Sequence, residues 1–265
     1  MDPKDLQTLV PSDQFPEENR LQREREFHNL QAQGRLCTLK NPSDYLQEDS
    51  RFFNHAPWIP LGFHLLGDLA GLKILDLGSG NGMASVALAR KGAQVVSFDI
   101  STGYLEETRT RCLANGVKGN WVSGCGEKLP FASETFDRVW GNAILHHLEL
   151  NPALSEIKRV LKKAGKAVFC EPAALSKPIY LVRRCLGKSG KHTPDEAPLT
   201  WDDLRRIKQA FPISQWRGVQ VLGALPGVSR WGWSKKVADW LDRQGVRWLP
   251  FYQYLCRYVI VSLEN

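Results

Sequence analysis

Ten residues, KILDLGSGNG from Lys73 to Gly82, constrain this chain more than any other stretch. A short apolar run carrying an acid, Asp76, gives way to glycines at 78, 80 and 82 and then to a helix-like segment, Met83–Lys91. Glycines spaced two apart at a strand end let the backbone turn sharply and leave bare main chain at a helix N-terminus, where a ligand can sit closely. The next apolar run, Gln94–Ile100, ends on a second acid, Asp99.

Further runs at Asn120–Val122, Phe136–Trp140 and Lys166–Cys170 alternate with helical patterns at Thr102–Asn115, Ala143–Leu148 and Pro152–Lys163. Such alternation predicts an α/β fold around a mainly parallel sheet. The tail YQYLCRYVIVSLE, dense in β-branched and aromatic residues, reads as the final strand. Before the glycines, residues 1–70 read as a helical cap: polar Glu17–Gln33 as a lightly anchored surface helix, and LGFHLLGDLAG as a helix ending at Gly71. Residues 71–265 form the core, with a Pro-, Gly- and Lys-rich, lid-like stretch inside 172–250.

With 265 residues and 43% hydrophobic content, the chain supports one large core or two modest ones. Six cysteines lack C-x-x-C spacing, which argues against disulfides and a cysteine zinc site. The N-terminus lacks a signal-peptide pattern and no apolar run suits a membrane span, so a soluble cytoplasmic protein is expected. Net charge is +7, but residues 157–265 carry 20 Lys/Arg against 8 Asp/Glu, an excess of 12 cations that favours an anionic partner or simply a solvated surface.

The pattern D-x-G-x-G-x-G differs from the G-x-G-x-x-G of dinucleotide folds, and Asp76 inside the strand would repel a pyrophosphate. It suits a ligand with an ammonium group, while Asp99 stands where an acid accepts from ribose hydroxyls. S-adenosyl-L-methionine satisfies both acids and carries no phosphate. At these residues the chain resembles the class I S-adenosylmethionine-dependent methyltransferases.

The resemblance continues through GEKLPFASETFDRVWGNAILHHL, Gly126–Leu148, and LKKAGKAVFCEP, which are similar to motifs of the ubiquinone-type small-molecule group; it covers about residues 71–172. It implies a Rossmann-like, doubly wound, seven-stranded sheet and S-adenosyl-L-methionine as cofactor, with S-adenosyl-L-homocysteine as product. It also implies a cofactor site at Asp76, Gly78, Ser79, Gly80, Gly82, Asp99, Ile100, Cys125, Gly126, Glu127 and Asn142. Cys125 departs from the Asp usual before the LPF turn, which shifts the adenine contact toward the Gly126 and Glu127 backbone.

In O-methyltransferases of this group, a histidine pair and an acid ending the fifth strand accompany the acceptor site; here these are His146, His147 and Glu171. Adjacent helical residues project about 100° apart, so at most one ring is expected to meet the acceptor, as general base, while Glu171 orients it. One ring packing in the helix or capping the cofactor pocket is the plainer alternative. His28, Arg51, Phe52 and Phe53 match a segment that closes over the cofactor in similar enzymes, though helix-surface packing explains them nearly as well.

No metal is expected, since the histidines lack ligand spacing. In WSKKVADWLDR, Trp233, Val237, Trp240 and Leu241 share one helical face, read as lid or core packing ahead of peripheral membrane contact. The expected function is methyl transfer to an O or N centre, less readily C, of a hydrophobic or natural-product-like small molecule. A tRNA or rRNA methyltransferase, and a protein that binds the cofactor without transferring its methyl, are the alternatives.

Overall fold

The computed structural model describes residues 17–176, 197–221 and 237–265, apart from 239, 243, 246 and 247. Helices α1 (Glu17–Leu36), α2 (Asp49–His55) and α3 (Trp58–Leu66) come first. There follow β1 (Lys73–Leu77), α4 (Met83–Arg90), β2 (Gln94–Asp99), α5 (Thr102–Ala114), β3 (Asn120–Ser123) and β4 (Phe136–Asn142). Next come α6 (Leu150–Val160), β5 (Leu161–Pro172), α7 (Trp201–Ala210), β6 (Ile213–Val219) and β7 (Tyr258–Glu264).

The strands form one sheet in the order β3-β2-β1-β4-β5-β7-β6. All neighbours are parallel except β7, which runs antiparallel between β5 and β6. Strand order reverses between β1 and β4, and in such sheets ligands bind beyond the carboxyl ends of the strands at that point.

Alternation along β1 sends Leu75 and Leu77 into one core with α6 and α7, and Ile74 into the other with α2, α3 and α4. Asp76 belongs to the Ile74 face, an acid where an apolar residue would pack. The second core makes α3 a layer packed on the sheet. A Cβ on Gly62 would stand 2.8 Å from the Trp140 ring and 2.9 Å from Cys170 Sγ, so the helix packs this closely on the sheet only because that position has no side chain.

The structure differs from the sequence expectations at several boundaries. The α3 helix stops at Leu66, where Gly67 takes φ +79° and returns its N–H to His64, so Gly71 lies outside it. Likewise α6 stops at Val160, and β5 begins at Leu161, which pairs with Phe136 of β4, so Lys162 and Lys163 lie in the strand rather than the helix. The segment after β4 makes only a single 3₁₀ turn, Leu145–His147. The edge strand β6 was not anticipated, since ISQWRGV is polar and half exposed. No helix among the described residues is long and apolar enough to cross a membrane. Trp231, Trp233 and much of the lid-like stretch lie outside the described residues.

Candidate active site

The glycine loop is held open by its neighbours. Gly78, Gly80 and Gly82 adopt φ +73°, +51° and +80°, the left-handed region in which a side chain is strained. Gly78 and Ser79 donate their N–H groups to the Phe98 carbonyl, at 2.8 and 3.0 Å. From α5, Thr108 Oγ1 donates to Gly80 O and Arg111 Nε to Asn81 O. A Cβ on Gly80 would meet nothing within 4 Å. This residue's bare backbone therefore faces open space, a cavity of about 350 Å³.

The two acids stand on that cavity's wall. Asp99 accepts from Gly80 N–H through one oxygen and from Ser101 N–H through the other, both at 2.9 Å. Burial raises its pKa, partly offset by those two bonds and by His28 and His147. Asp76 is fully enclosed and accepts from Ser85 Oγ at 2.5 Å, with Ser97 Oγ 2.8 Å beyond. Burial pushes its carboxyl up to about 7, helped by Asp99 and opposed by the Ser85 bond. A cation beside such a buried carboxyl, for example a ligand's ammonium group, would favour its ionised form.

The remaining expected residues divide. Ile100, Gly126, Glu127 and Asn142 join Ser79 on the wall. Cys125 does not line it: its thiol donates to Glu127 Oε2 at 2.7 Å, and burial raises its pKa to about 11. Burial opposes the Glu127 carboxylate, but Cys125, the Glu149 N–H and Arg20 outweigh it and hold its pKa low. Its Oε1 takes Arg20 Nη2 at 2.5 Å. Asn142 accepts from Trp58 Nε1 at 3.0 Å.

The paired histidines serve two different carboxylates. His146 Nδ1 lies 2.8 Å from Glu171 Oε2, and the other Glu171 oxygen accepts from Ile144 and Leu145 N–H at 3.0 Å each. Buried Glu171 thus fastens the segment after β4, and neither it nor His146 lines the cavity. His147 does line it. Its Nδ1 stands 3.3 Å from Glu24 Oε2, the oxygen that His28 Nε2 approaches at 3.2 Å. Burial works against the His28 imidazolium, but Glu24 outweighs it and raises the ring's pKa.

Glu24, Arg20 and Gln31 escaped sequence reasoning, and His28 was passed over. All lie on α1, whose inward stripe is polar: Arg20, Glu24, His28, Gln31 and Arg35 all line the cavity. The signal was their spacing of three or four residues, invisible to a search for apolar periodicity. Arg35 grips buried Glu107 of α5 through Nε and Nη2, at 3.0 and 2.9 Å. Arg20 also donates to the His147 carbonyl at 2.8 Å. The α1 helix therefore closes one side of the cavity through charged contacts to α5 and the segment after β4.

Among known proteins, the family described as "Methyltransferase domain" matches residues 75–169. A demethylmenaquinone methyltransferase of Clavibacter sepedonicus is 39% identical over 132 residues, covering 49% of this chain and 53% of that one. The chain therefore spans about half of that relative's length. A demethylmenaquinone methyltransferase of Mycobacterium marinum is 35% identical over 177 residues, covering 60% of this chain and 73% of that one. In fold, the chain is similar to an S-adenosylmethionine-dependent methyltransferase from Mesorhizobium loti, with TM-score 0.56 and 17% identity over 80% of this chain and all of that one.

Proposed function

Because the chain belongs to the class I S-adenosylmethionine-dependent methyltransferases, we propose that it methylates an O or N centre, less readily C, of a hydrophobic small molecule. The observation that carries this reading is one cavity walled by Asp76, the open glycine loop and Asp99. Bound there, S-adenosyl-L-methionine supplies an electrophilic methyl and leaves as S-adenosyl-L-homocysteine.

The residues fit that cofactor. Asp99, its carboxylate already aligned by two backbone N–H groups, would accept from the ribose hydroxyls. Asp76 offers a buried carboxyl to the ammonium end, and the Gly80 backbone leaves the room a side chain would fill. Gly126, Glu127 and Leu148 form the wall left for the adenine.

The chain's own chemistry lies in placement and proton handling. Positioning reactants at near-attack distance supplies much of the acceleration. With α1 packed along one side of the cavity, that side is shielded from water. For a hydroxyl acceptor, His147 is the imidazole of the pair on the cavity wall, and Glu24 beside it stabilises the imidazolium formed when the proton is taken. Relatives named for demethylmenaquinone support a hydrophobic, ring-bearing acceptor.

The test is incubation of the chain with methyl-labelled cofactor, a lipid extract and RNA. Label in an organic-phase product is expected. Label in RNA, or none anywhere while calorimetry shows the cofactor bound, would overturn this function.

A further inference from the structure

Past residue 236 the chain turns an apolar face outward. Val237, Ala238, Trp240, Leu241, Asp242, Gln244, Gly245 and Trp248 are helical. The side facing the protein carries Ala238 and Asp242, one turn apart and both buried. Asp242 is pinned there, accepting from Val221 N–H at 3.0 Å and from Tyr252 Oη at 2.7 Å.

Fixing the carboxylate inside commits the opposite side to solvent. Val237, Trp240, Leu241 and Trp248 are 47%, 54%, 41% and 69% exposed, at spacings of three, four and eleven residues from the first. Leu249, Phe251, Tyr254 and Leu255 continue the exposed run. Eight of the twelve large apolar side chains exposed among the described residues thus fall between 237 and 255. Single exposed apolar residues are ordinary, whereas such a concentration marks an interaction surface. Core packing, one of the sequence expectations for this face, does not hold for its described residues.

Charge selects the occupant. From residue 228 to 257 the sequence carries six cations, Arg230, Lys235, Lys236, Arg243, Arg247 and Arg257, against two acids, Asp239 and the inward Asp242. Tryptophan and tyrosine rings settle at the headgroup level of a bilayer, and neighbouring Lys and Arg are drawn to anionic lipids. We propose that this face docks on the surface of an anionic lipid bilayer, with Val237, Trp240, Leu241 and Trp248 entering the boundary between headgroups and acyl chains. None of the described residues between 237 and 255 lines the cofactor cavity, so the inference stands apart from the chemistry proposed above.

The experiment is co-sedimentation of the full chain with phosphatidylcholine vesicles, with and without phosphatidylglycerol, while tryptophan emission is recorded. Expected are binding to the anionic vesicles with a blue shift, weaker binding as salt rises, and little binding to phosphatidylcholine alone. Trp240→Glu with Leu241→Glu should weaken binding at least about ten-fold, since each burial of a large apolar side chain is lost. Both side chains are exposed, so circular dichroism and melting should be unchanged; if the pair perturbs folding, Trp248→Glu alone carries the comparison. No binding to either vesicle, salt-insensitive binding to both, or variants that bind like the parent would overturn the proposal. So would a dimer, seen in ultracentrifugation, that the same variants dissociate.

Discussion

His147 Nδ1 stands 3.3 Å from Glu24 Oε2, while the neighbouring His146 spends its own Nδ1 on Glu171 at 2.8 Å. Two adjacent rings therefore have separable tasks. His147→Asn should lower kcat about 10²–10⁴-fold for a hydroxyl acceptor, the usual worth of a general base, with cofactor affinity little changed. His146→Asn should instead lower the melting temperature, because a buried Glu171 oxygen loses its partner at a cost of about 1–3 kcal/mol. Steady-state kinetics beside thermal melts would separate the two; equal loss of kcat in both variants, with stability intact, would sink the division.

Asp99 touches the ribose side of the proposed site only through oxygens that backbone N–H groups have already aligned. Asp99→Asn keeps the size, removes the charge and turns one of the two acceptors toward Gly80 and Ser101 N–H into a donor. Hydrogen bonds to a charged group are worth about 1.5–3 kcal/mol, so the dissociation constant for S-adenosyl-L-homocysteine should rise about 10- to 100-fold. Calorimetric titration checks it, and an unchanged constant would place the ribose elsewhere.

The pH behaviour of the unliganded chain should carry the signature of Asp76. Its pKa is raised from 3.8 to about 7 by burial, so across that window the folded chain holds a proton that the unfolded chain has released. Folding is favoured below the window, and this contribution is lost as pH climbs through it. Asp76→Asn should flatten that part of the melting temperature against pH. Binding a ligand's ammonium group should pull the carboxyl back toward ionisation and release a proton below about pH 7, seen in calorimetry as a heat that depends on the buffer.

Much of this was legible in the sequence because the local pattern and the tertiary role coincide. At Lys73–Gly82 and Gln94–Asp99, strand, turn and acid are contiguous, so spacing alone located the loop and both carboxylates. The inward stripe of α1 was not legible: Glu24 and His147 meet only through the fold, and the buried side of that helix is polar. Residues 237–248 misled for the mirror reason, since their apolar periodicity is genuine but the pinned Asp242 turns it outward. Strand β6 was missed because an edge strand carries little apolar signal.

Gly80 and Gly82 should respond differently to the same alanine substitution. Both sit at positive φ, which costs an alanine about 1–2 kcal/mol. At Gly82 the new Cβ would lie 2.7 Å from the Thr108 Cα, a backbone atom of α5 that has no flexible side chain to yield. Gly82→Ala should therefore lose more stability than Gly80→Ala and spread α4 from α5. At Gly80 the Cβ meets open space on the cavity side, so its stability cost is the conformational one alone, and the methyl group occupies room the cofactor needs. Gly80→Ala should keep most of its melting temperature and bind S-adenosyl-L-homocysteine at least about ten-fold more weakly, the effect of 1.4 kcal/mol. Thermal melts and calorimetric titration of both variants decide the matter: if Gly80→Ala binds as the parent does, no ligand approaches that bare stretch of main chain.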